Sequence, residues 1–388
     1  MDLQQIKDTD KKYFMNTFGE RTPVAFVSGK GMDITDTKGE VYKDFFAGIA
    51  VTALGHSHPN IVKTIKEQAE KLLHTSSLYY IESQACLAKE LAARSCCDRA
   101  YFANSGAEAN EGAIKLAKIY HYKKGTGRTD IITLKKSFHG RTLAAVAATG
   151  QEKYQKPYAP LTPGFTHVPI NDIEAFKNAV TDKTAAFMAE FIQGESGVHP
   201  LDPDYIKAVF EICRKNDILI IDDEIQTGVG RTGKMFAYEH YGVEPDIITM
   251  AKALGGGVPI GAVLAKEAVC AFQPGDHGGT FGGNHLATTV ALEVLKTIDE
   301  ENLIQKAGEN GKYFAEKLSK IAGVSGVRGK GLMIGVAVGK NAKDIVRKMF
   351  EKKYLLGAVG DDTLRILPPL IVTKEEIDKF CETLEECI

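Results

Sequence analysis

Apolar, β-branched runs of strand length alternate with helical patterns through the middle of this chain. Short apolar runs predict buried strands, whereas apolar positions spaced three and four residues apart predict helices. Strands are predicted over 100–103, 130–134, 185–191, 218–222, 247–250 and 260–265, and a helix over 108–122. Such alternation predicts an α/β domain with a largely parallel sheet, whose ligands bind beyond the carboxyl ends of the strands.

The segments on either side of this alternation follow different patterns. Residues 26–42 predict a short antiparallel piece, because turn signals interrupt an extended run there. A long helix over about 286–299 leads to glycine-punctuated strands within 324–338 and to a last helix from Lys374. We therefore expect a large domain over 49–283 and a smaller domain over 284–388, which the N-terminal segment 1–48 joins.

Composition and charge exclude several classes of protein. Lys and Arg total 48 against 50 for Asp and Glu, so no overall basic field draws the chain to nucleic acid or to a membrane. No apolar run reaches the roughly 18 residues of a membrane span, and the start of the chain does not resemble a signal peptide. The seven cysteines form no Cys-x-x-Cys pair, which favours reduced thiols and a cytoplasmic location.

A lysine stands at an unusual point, since Lys252 directly follows a predicted strand and precedes three glycines. A solvated surface charge is the ordinary explanation for a lysine after a strand. The apolar neighbours and the glycines, which permit close approach of a ligand, favour a functional role equally. A desolvated lysine has a lowered pKa, so its neutral amine can form an imine with an aldehyde cofactor.

An acid, Asp223, ends the apolar run 218–222. It suits a metal ligand, a general base or a helix cap. In a pyridoxal-phosphate site, a carboxylate keeps the pyridine nitrogen protonated, and the pyridinium then accepts the carbanion electrons. The histidines, including His56 and His58, show no zinc spacing, so no metal site is expected.

Three other segments offer groups for an anionic or planar ligand. The turn Ser105-Gly106-Ala107 before a helix provides free amides for a phosphate, although this segment taken alone favours Ser105 as an ordinary N-cap, and only the other motifs support a phosphate site. Phe138 and Arg141 follow another strand and suit ring stacking and carboxylate binding, or a packed ring and a surface charge. Weaker candidates are the acid Glu195 and the arginine Arg365.

The order of these segments resembles the class III aminotransferases over nearly the whole chain. The matching motifs are Asn-Ser-Gly-Ala-Glu-Ala-Asn, Phe-His-Gly-Arg-Thr, Gln-Gly-Glu, Asp-Glu-Ile-Gln-Thr-Gly, the lysine with its glycines, and Gly-Thr-Phe-Gly-Gly-Asn. Within the class, residues 15–18, 48–56 and 138–142 are most similar to the acetylornithine branch. The resemblance implies fold type I of the pyridoxal-phosphate enzymes, with a mostly parallel seven-stranded sheet and a smaller α+β domain.

The resemblance also implies roles for individual residues. Lys252 holds pyridoxal 5'-phosphate as an imine and moves the proton, and Asp223 meets the pyridine nitrogen. The cofactor contacts are Ser105, Gly106, Ala107, Phe138, Glu224, Ile225, Gln226 and, from the neighbouring subunit of a homodimer, Thr280. The substrate contacts are Arg141, Glu195, Gly279 and Arg365.

The implied reaction exchanges an ω-amine between N-acetylornithine and 2-oxoglutarate, with glutamate as the second product. Arg141 takes the distal carboxylate of either substrate, and Arg365 takes the carboxylate beside the amine of glutamate. Glu195 neutralises Arg365 when acetylornithine is bound, because an unpaired buried charge is costly. Ornithine, succinylornithine, succinyl-diaminopimelate and 4-aminobutyrate remain alternative substrates, although Ile49, where ornithine enzymes tend to have tyrosine, argues mildly against ornithine.

A different class of enzyme is suggested by Gly228-Val-Gly-Arg-Thr-Gly233, which matches the dinucleotide-binding pattern. That pattern follows its strand immediately and opens a helix. Here residues 223–227 intervene, and Arg231-Thr232 suits a turn. A nicotinamide-dependent oxidoreductase is therefore the remote alternative.

Overall fold

A computed structural model describes residues 1–388, and its N-terminal part combines helices with a small antiparallel sheet. The elements are α1 (Leu3–Tyr13), β1 (Phe26–Lys30), β2 (Asp33–Asp36), β3 (Val41–Asp44), α2 (Ala47–Ala50), α3 (Pro59–Lys71) and α4 (Glu82–Arg94). The short α2 is a left-handed turn, with positive φ from Ala47 to Ala50. None of the helices in the chain combines the length and apolarity that a membrane crossing requires.

The middle of the chain builds the main sheet and the helices around it. Its strands are β4 (Arg99–Ala103), β5 (Asp130–Leu134), β6 (Phe165–Val168), β7 (Thr184–Ala189), β8 (Ile192–Gln193), β9 (His199–Pro200), β10 (Leu219–Asp223), β11 (Ile247–Met250) and β12 (Gly261–Ala265). Its helices are α5 (Gly106–Lys123), α6 (Leu143–Ala148), α7 (Glu152–Gln155), α8 (Ile173–Ala179) and α9 (Pro203–Asn216). Short 3-10 turns occupy Lys156–Tyr158, Ala237–His240, Lys252–Gly255 and Glu267–Val269.

The last hundred residues form a second group of helices and strands. They are α10 (His285–Glu300), α11 (Leu303–Leu318), β13 (Gly326–Lys330), β14 (Met333–Ala337), α12 (Ala342–Glu351), β15 (Tyr354–Leu355), β16 (Gly357–Val359), β17 (Thr363–Ile366) and α13 (Lys374–Glu385). A four-stranded sheet of order β13-β14-β17-β16 lies here. β15 instead pairs in parallel with β3, and this links the end of the chain to its beginning.

The seven-stranded sheet has the order β4-β12-β11-β10-β7-β5-β6. β12 alone runs antiparallel to both neighbours, so the predicted mostly parallel seven-stranded sheet is confirmed. Every residue of β7, β10 and β11 is buried, which explains their continuous apolar sequences, since a sheet covered on both faces needs no polar alternation. The edge strand β6 escaped prediction because its sequence, Phe-Thr-His-Val, is short and half polar.

One apolar core of 63 buried residues extends through the chain, from Met32 in the N-terminal part to Leu384 in α13. The predicted domain boundaries at 48 and 283 stay a prediction. What matters for function is the edge at which β5, β7, β10 and β11 end. These strands are mutually parallel, so the residues that follow them meet at one place.

Candidate active site

A cavity of about 420 Å³ lies at this carboxyl edge of the sheet. That volume falls within the range of about 300–1,000 Å³ typical of small-molecule sites. Most of the residues predicted for the site line it, namely Ser105, Gly106, Ala107, Phe138, Arg141, Glu195, Asp223, Ile225, Gln226 and Lys252. The structure thus brings together segments that are up to 147 positions apart, from Ser105 to Lys252.

Lys252 lies two residues beyond the end of β11 and begins a 3-10 turn. Its φ of 43° is left-handed, a conformation that costs a residue other than glycine about 1–3 kcal/mol and that is common at functional sites. Its ammonium group has no carboxylate within 4.0 Å. Burial lowers the pKa of Lys252, although the charge of Glu195 opposes the shift. The side chain is therefore poised to lose its proton more readily than a solvated lysine.

Asp223, at the end of β10, belongs to a buried polar network. Its Oδ2 accepts hydrogen bonds from Asn110 Nδ2 at 2.8 Å and from His139 Nδ1 at 2.7 Å. Asn110 also donates to the His139 carbonyl at 2.7 Å, and Asp223 Oδ1 accepts from the Ile225 amide at 3.2 Å. Because three groups fix this carboxylate, Asp223 presents a rigid negative charge to the cavity.

The start of α5 supplies an anion-binding turn. Ser105 is the N-cap, and its Oγ accepts from the Glu108 amide at 3.2 Å, so it is an ordinary cap as well as a cavity residue. The amides of Gly106 and Ala107 lie in the first turn, where no intrahelical acceptor exists. A Cβ added at Gly106 would lie 2.7 Å from Ile225 Cδ1, so only glycine fits. These free amides and the positive end of the helix dipole face the cavity.

Arg141 is an exposed cation at the rim of the cavity. Its guanidinium lies 4.2 Å from the ring centroid of Tyr154 and 5.7 Å from that of Phe138. The two rings pack edge to face, 5.6 Å apart. No carboxylate lies within 4.0 Å of Arg141, so the group is free to bind one from a ligand.

Arg365, in contrast, already has an acidic partner. Its Nη1 donates to Glu195 Oε1 at 2.5 Å and to the Gly194 carbonyl at 3.2 Å. Gln226 Nε2 also donates to Glu195 Oε1, at 3.1 Å. Burial alone would raise the pKa of Glu195, but the charge and hydrogen bond of Arg365 outweigh it, and the pKa lies below its ordinary value. Glu195 therefore occupies Arg365 as a carboxylate.

Arg365 reaches the cavity only through Glu195, and three other predicted residues lie away from the cavity. The Glu224 side chain points to the other side, because successive residues at a strand end alternate and Asp223 faces the cavity. Glu224 instead accepts from Thr227 and from the amides of Ala237 and Tyr238, at 2.5 and 3.2 Å. The expectation that Glu224 contacts a cofactor thus meets no support from its geometry.

Gly279 and Thr280, the other two, lie on a separate surface. Both are exposed, and Gly279 lines a second cavity of about 740 Å³ together with residues of the segment 76–85. The surroundings are apolar, since Leu78, Tyr80 and Phe281 expose most of their side chains. A large exposed apolar area marks a surface that another molecule covers.

The dinucleotide-like segment 228–233 forms a turn that no α-helix follows directly. Its arginine, Arg231, is fully buried and donates to the carbonyls of Leu332 at 3.2 Å and of Pro368. The segment therefore fastens the main sheet region to the C-terminal region and offers no phosphate site.

Four residues with clear positions in the site had no predicted role: Asn110, His139, Tyr154 and Glu190. His139 stands inside the motif that contributed Phe138 and Arg141, so its place in the chain was a usable signal. Glu190 directly follows β7. Functional residues of such sheets lie at the carboxyl ends of the strands, and this rule, which selected Asp223, also selects Glu190. Asn110 is the last residue of the motif Asn-Ser-Gly-Ala-Glu-Ala-Asn, whereas nothing in the local sequence marks Tyr154.

Comparison with known proteins adds independent findings. The family model described as Aminotransferase class-III matches residues 14–388. An acetylornithine aminotransferase of Methanocaldococcus jannaschii is 54% identical, over 98% of this chain and 96% of that relative. One of Caldanaerobacter subterraneus is 51% identical, over 98% of each.

Solved structures agree in fold. The ornithine aminotransferase of Toxoplasma gondii superposes with a TM-score of 0.95 at 33% identity, over 100% of this chain and 95% of that one. The acetylornithine aminotransferase of Elizabethkingia anophelis gives 0.89 at 32% identity, over 100% and 99%. Both likenesses extend over the whole cavity and both flanking regions.

Proposed function

The chain belongs to the class III aminotransferases, and from this premise we propose that it transfers the ω-amino group of N-acetyl-L-ornithine to 2-oxoglutarate. The products are N-acetyl-L-glutamate 5-semialdehyde and L-glutamate, as in a step of arginine biosynthesis. Eight similar relatives with 45–54% identity carry the name acetylornithine aminotransferase, which supports this choice of substrate.

The enzyme is a transaminase that depends on pyridoxal 5'-phosphate, and the cavity residues fit this cofactor. The free amides at the start of α5 suit its phosphate, and the fixed carboxylate of Asp223 suits its ring nitrogen. The buried amide oxygen of Gln226 has no partner within the chain, so a polar ligand is accommodated beside it. When bound, the cofactor supplies an electron sink for negative charge on the substrate carbon.

Each residue then has one task. The phosphate would be held by Ser105, Gly106, Ala107 and, from a second copy of the chain, Thr280. The ring would lie against Phe138 and Ile225, with Gln226 at its phenolic oxygen and Lys252 at its aldehyde carbon. Glu224 is also predicted to contact the cofactor, although its carboxylate accepts from the amides of Ala237 and Tyr238.

Lys252 moves the proton. Burial lowers its pKa, so its amine, once released from the imine, loses a proton more readily than a solvated lysine and would take a proton from the substrate carbon. The same Nζ would then deliver that proton to the carbon atom that was the cofactor's aldehyde carbon. The three groups that fix Asp223 keep the charge opposite the lysine constant during this transfer.

The single observation that carries the proposal is the Glu195–Arg365 ion pair beside an unpaired Arg141. Acetylornithine has one carboxylate, which Arg141 binds, and Arg365 keeps Glu195 as its partner. Glutamate has two carboxylates, so its α-carboxylate displaces Glu195 from Arg365. The site therefore serves two substrates of different charge without leaving a buried guanidinium unpaired.

The exposed surface around Thr280 supports association of two copies of the chain. The proposed unit is a homodimer, in which the apolar side chains of Leu78, Tyr80 and Phe281 are covered and Gly279 and Thr280 complete the partner's site. The seven cysteines are unpaired, which accords with the expected cytoplasmic location.

The proposal is tested by single-turnover reactions of the cofactor-loaded enzyme with acetylornithine, succinylornithine, ornithine and 4-aminobutyrate. The loss of cofactor absorbance reports each rate. Acetylornithine should react at least about tenfold faster than ornithine, because the free α-ammonium of ornithine would lie beside the like charge of Arg141, which has no carboxylate within 4.0 Å. A faster reaction with ornithine or 4-aminobutyrate would assign the chain to another branch of the family.

A further inference from the structure

Glu190 is a buried acid that the proposed mechanism does not use. It follows β7 directly, is 5% exposed and lines the cavity. Its Oε1 accepts a hydrogen bond from the Phe138 amide at 2.9 Å, and its Oε2 accepts one from the Gly194 amide at 3.0 Å. No lysine or arginine lies within 4.0 Å of it, so these two backbone donors are its direct hydrogen-bond partners.

The two amides belong to the two segments that would bind the carboxylates of a substrate. Residues 138–141, here called the distal arm, carry the Phe138 ring and the free guanidinium of Arg141. Residues 194–195, here called the proximal arm, carry Glu195, and the Gly194 carbonyl accepts from Arg365 at 3.2 Å. Gly194 is thus held on both sides, by Glu190 at its N–H and by Arg365 at its carbonyl.

We propose that Glu190 is a positioning residue that ties the distal arm to the proximal arm and so sets the separation of the two carboxylate sites. This inference rests on the proposed function, in which glutamate and 2-oxoglutarate span both arms whereas acetylornithine uses the distal arm alone. Glu190 touches neither carboxylate. It acts through Phe138 and Gly194.

The chemistry of the side chain explains why an acid stands here. A carboxylate accepts from two N–H groups at once, one on each oxygen, whereas the amide of glutamine has a single acceptor and would turn two N–H donors toward the second backbone N–H. Burial raises the pKa of Glu190 to about 7, although the charge of His139 opposes the shift. An apolar or amide side chain would cost less to bury, so the double acceptor is the property that the position requires.

Glu224 offers a matched comparison within the same sheet. It follows the adjacent parallel strand β10, is 1% exposed, and burial raises its pKa to about 7 as well. Its carboxylate holds the amides of Ala237 and Tyr238, which lie outside both arms. Both amides bond to Oε1 of Glu224 and Thr227 bonds to Oε2, so replacing Glu224 by glutamine alters an equally buried acid without removing a hydrogen bond from either arm.

The first experiment measures amide hydrogen exchange of the cofactor-free protein. Glu190→Gln should lower the protection of Phe138 and Gly194 by about tenfold or more, since a hydrogen bond to a charged group is worth roughly 1.5–3 kcal/mol. Glu224→Gln keeps one oxygen that can accept from both Ala237 and Tyr238, and it should leave the protection of both arms unchanged. Unchanged arms in Glu190→Gln, or an equal loss over the whole sheet, would overturn the inference.

The second experiment measures ligand affinity in the cofactor-loaded enzyme with unreactive carboxylates. Glutarate spans both arms and should bind about tenfold or more weakly to Glu190→Gln, whereas butyrate, with one carboxylate, should change by less than about threefold. A merely structural loss would weaken both ligands equally, and that result would count against the inference. If Glu190→Gln does not fold, Glu190→Asp serves instead, because its shorter side chain keeps the charge but cannot reach both amides.

The outcomes also separate this inference from the proposed function. If the arms loosen in the exchange experiment while no amino donor reacts in the single-turnover series, the proposed function is wrong and the tie between the arms stands. If acetylornithine reacts as expected and the arms keep their protection, the tie is wrong and the function stands.

Discussion

The floor of the cavity and the surface around Thr280 both contain residues predicted to contact the same cofactor. The single chain holds the floor residues in place, whereas it leaves the surface residues exposed. On the floor, Asp223 has three hydrogen-bond partners, and Lys252 is half-buried. On the surface, Thr280 is exposed, and the neighbouring Phe281 is 60% exposed.

The difference distinguishes a region that one chain completes from a region that a second molecule has to cover. The floor depends on parallel strands whose ends meet, so one chain suffices to build it. The surface depends on apolar side chains that stay in contact with water until a second molecule covers them. Substitutions on the floor and on the surface test this contrast.

Replacing Lys252 by alanine should abolish turnover, by about 10⁴-fold or more, because proton transfer by a positioned side chain contributes roughly 10²–10⁴-fold and the covalent link is lost as well. Steady-state rates with acetylornithine and 2-oxoglutarate measure the effect. Lys266→Ala is the control, since Lys266 also follows a strand but pairs with Glu244 at the surface. Residual activity within tenfold of the parent would remove Lys252 from the mechanism.

Replacing Phe281 by aspartate should convert a dimer into monomers and lower activity roughly 100-fold or more, since an unpaired charge buried in an interface costs about 3–5 kcal/mol. Light scattering gives the oligomeric state, and the rate is measured on the same sample. Tyr122→Asp, at a side chain 78% exposed outside this surface, should change neither. An active monomer would show that the surface around Thr280 is not needed.

Replacing Thr280 by alanine should weaken cofactor affinity by about 10- to 100-fold, because one hydrogen bond to a charged group is lost. Titration of the cofactor into the cofactor-free protein measures this, and the dimer should persist. An affinity equal to that of the parent would mean that the hydroxyl does not reach the partner's site.

Replacing Glu195 by glutamine should shift the ratio of the two half-reaction rates by about tenfold toward glutamate. Arg365 then loses its internal counter-charge, which lowers the rate with acetylornithine. The α-carboxylate of glutamate no longer competes with Glu195 for Arg365, so the rate with glutamate is maintained. Rapid mixing with each amino donor gives the two rates. An unchanged ratio would refute the exchange of partners on Arg365.

The smallest effect concerns pH. Since burial lowers the pKa of Lys252, the neutral and reactive amine should persist to a lower pH than in a solvated lysine. Labelling of the cofactor-free protein by an amine-reactive ester, followed by mass spectrometry, should therefore give Lys252 a pH profile displaced to the acid side of those of the lysines on α3. Coincident profiles would contradict the effect of burial.

The fold and the floor of the site follow from the sequence to a large extent. The strands β5 and β11 begin and end at the predicted residues 130–134 and 247–250, and their buried runs lie next to the polar residues Thr129, Lys135 and Asp246. The strand predicted over 185–191 ends earlier, at Ala189, where the chain turns so that Glu190 can accept from two amides. That turn depends on partners at positions 138 and 194.

What the sequence does not contain is the set of pairings across the chain. Asn110 lies on a helix that was predicted, but its contact with Asp223 depends on how α5 packs over β10. The pairing of β15 with β3 joins residues more than 300 positions apart. The direction of the Glu224 side chain is fixed by its partners Thr227, Ala237 and Tyr238.

The ion pair between Glu195 and Arg365 has a consequence for inhibitor design. A compound whose carboxylate binds Arg365 must displace Glu195. The loss of the Glu195–Arg365 ion pair therefore lowers the net affinity of such a compound. A compound that does not contact Arg365 leaves this ion pair intact. Affinity for the two kinds of compound can thus be tuned in opposite directions at position 195, on a side chain that a compound of the second kind need not touch.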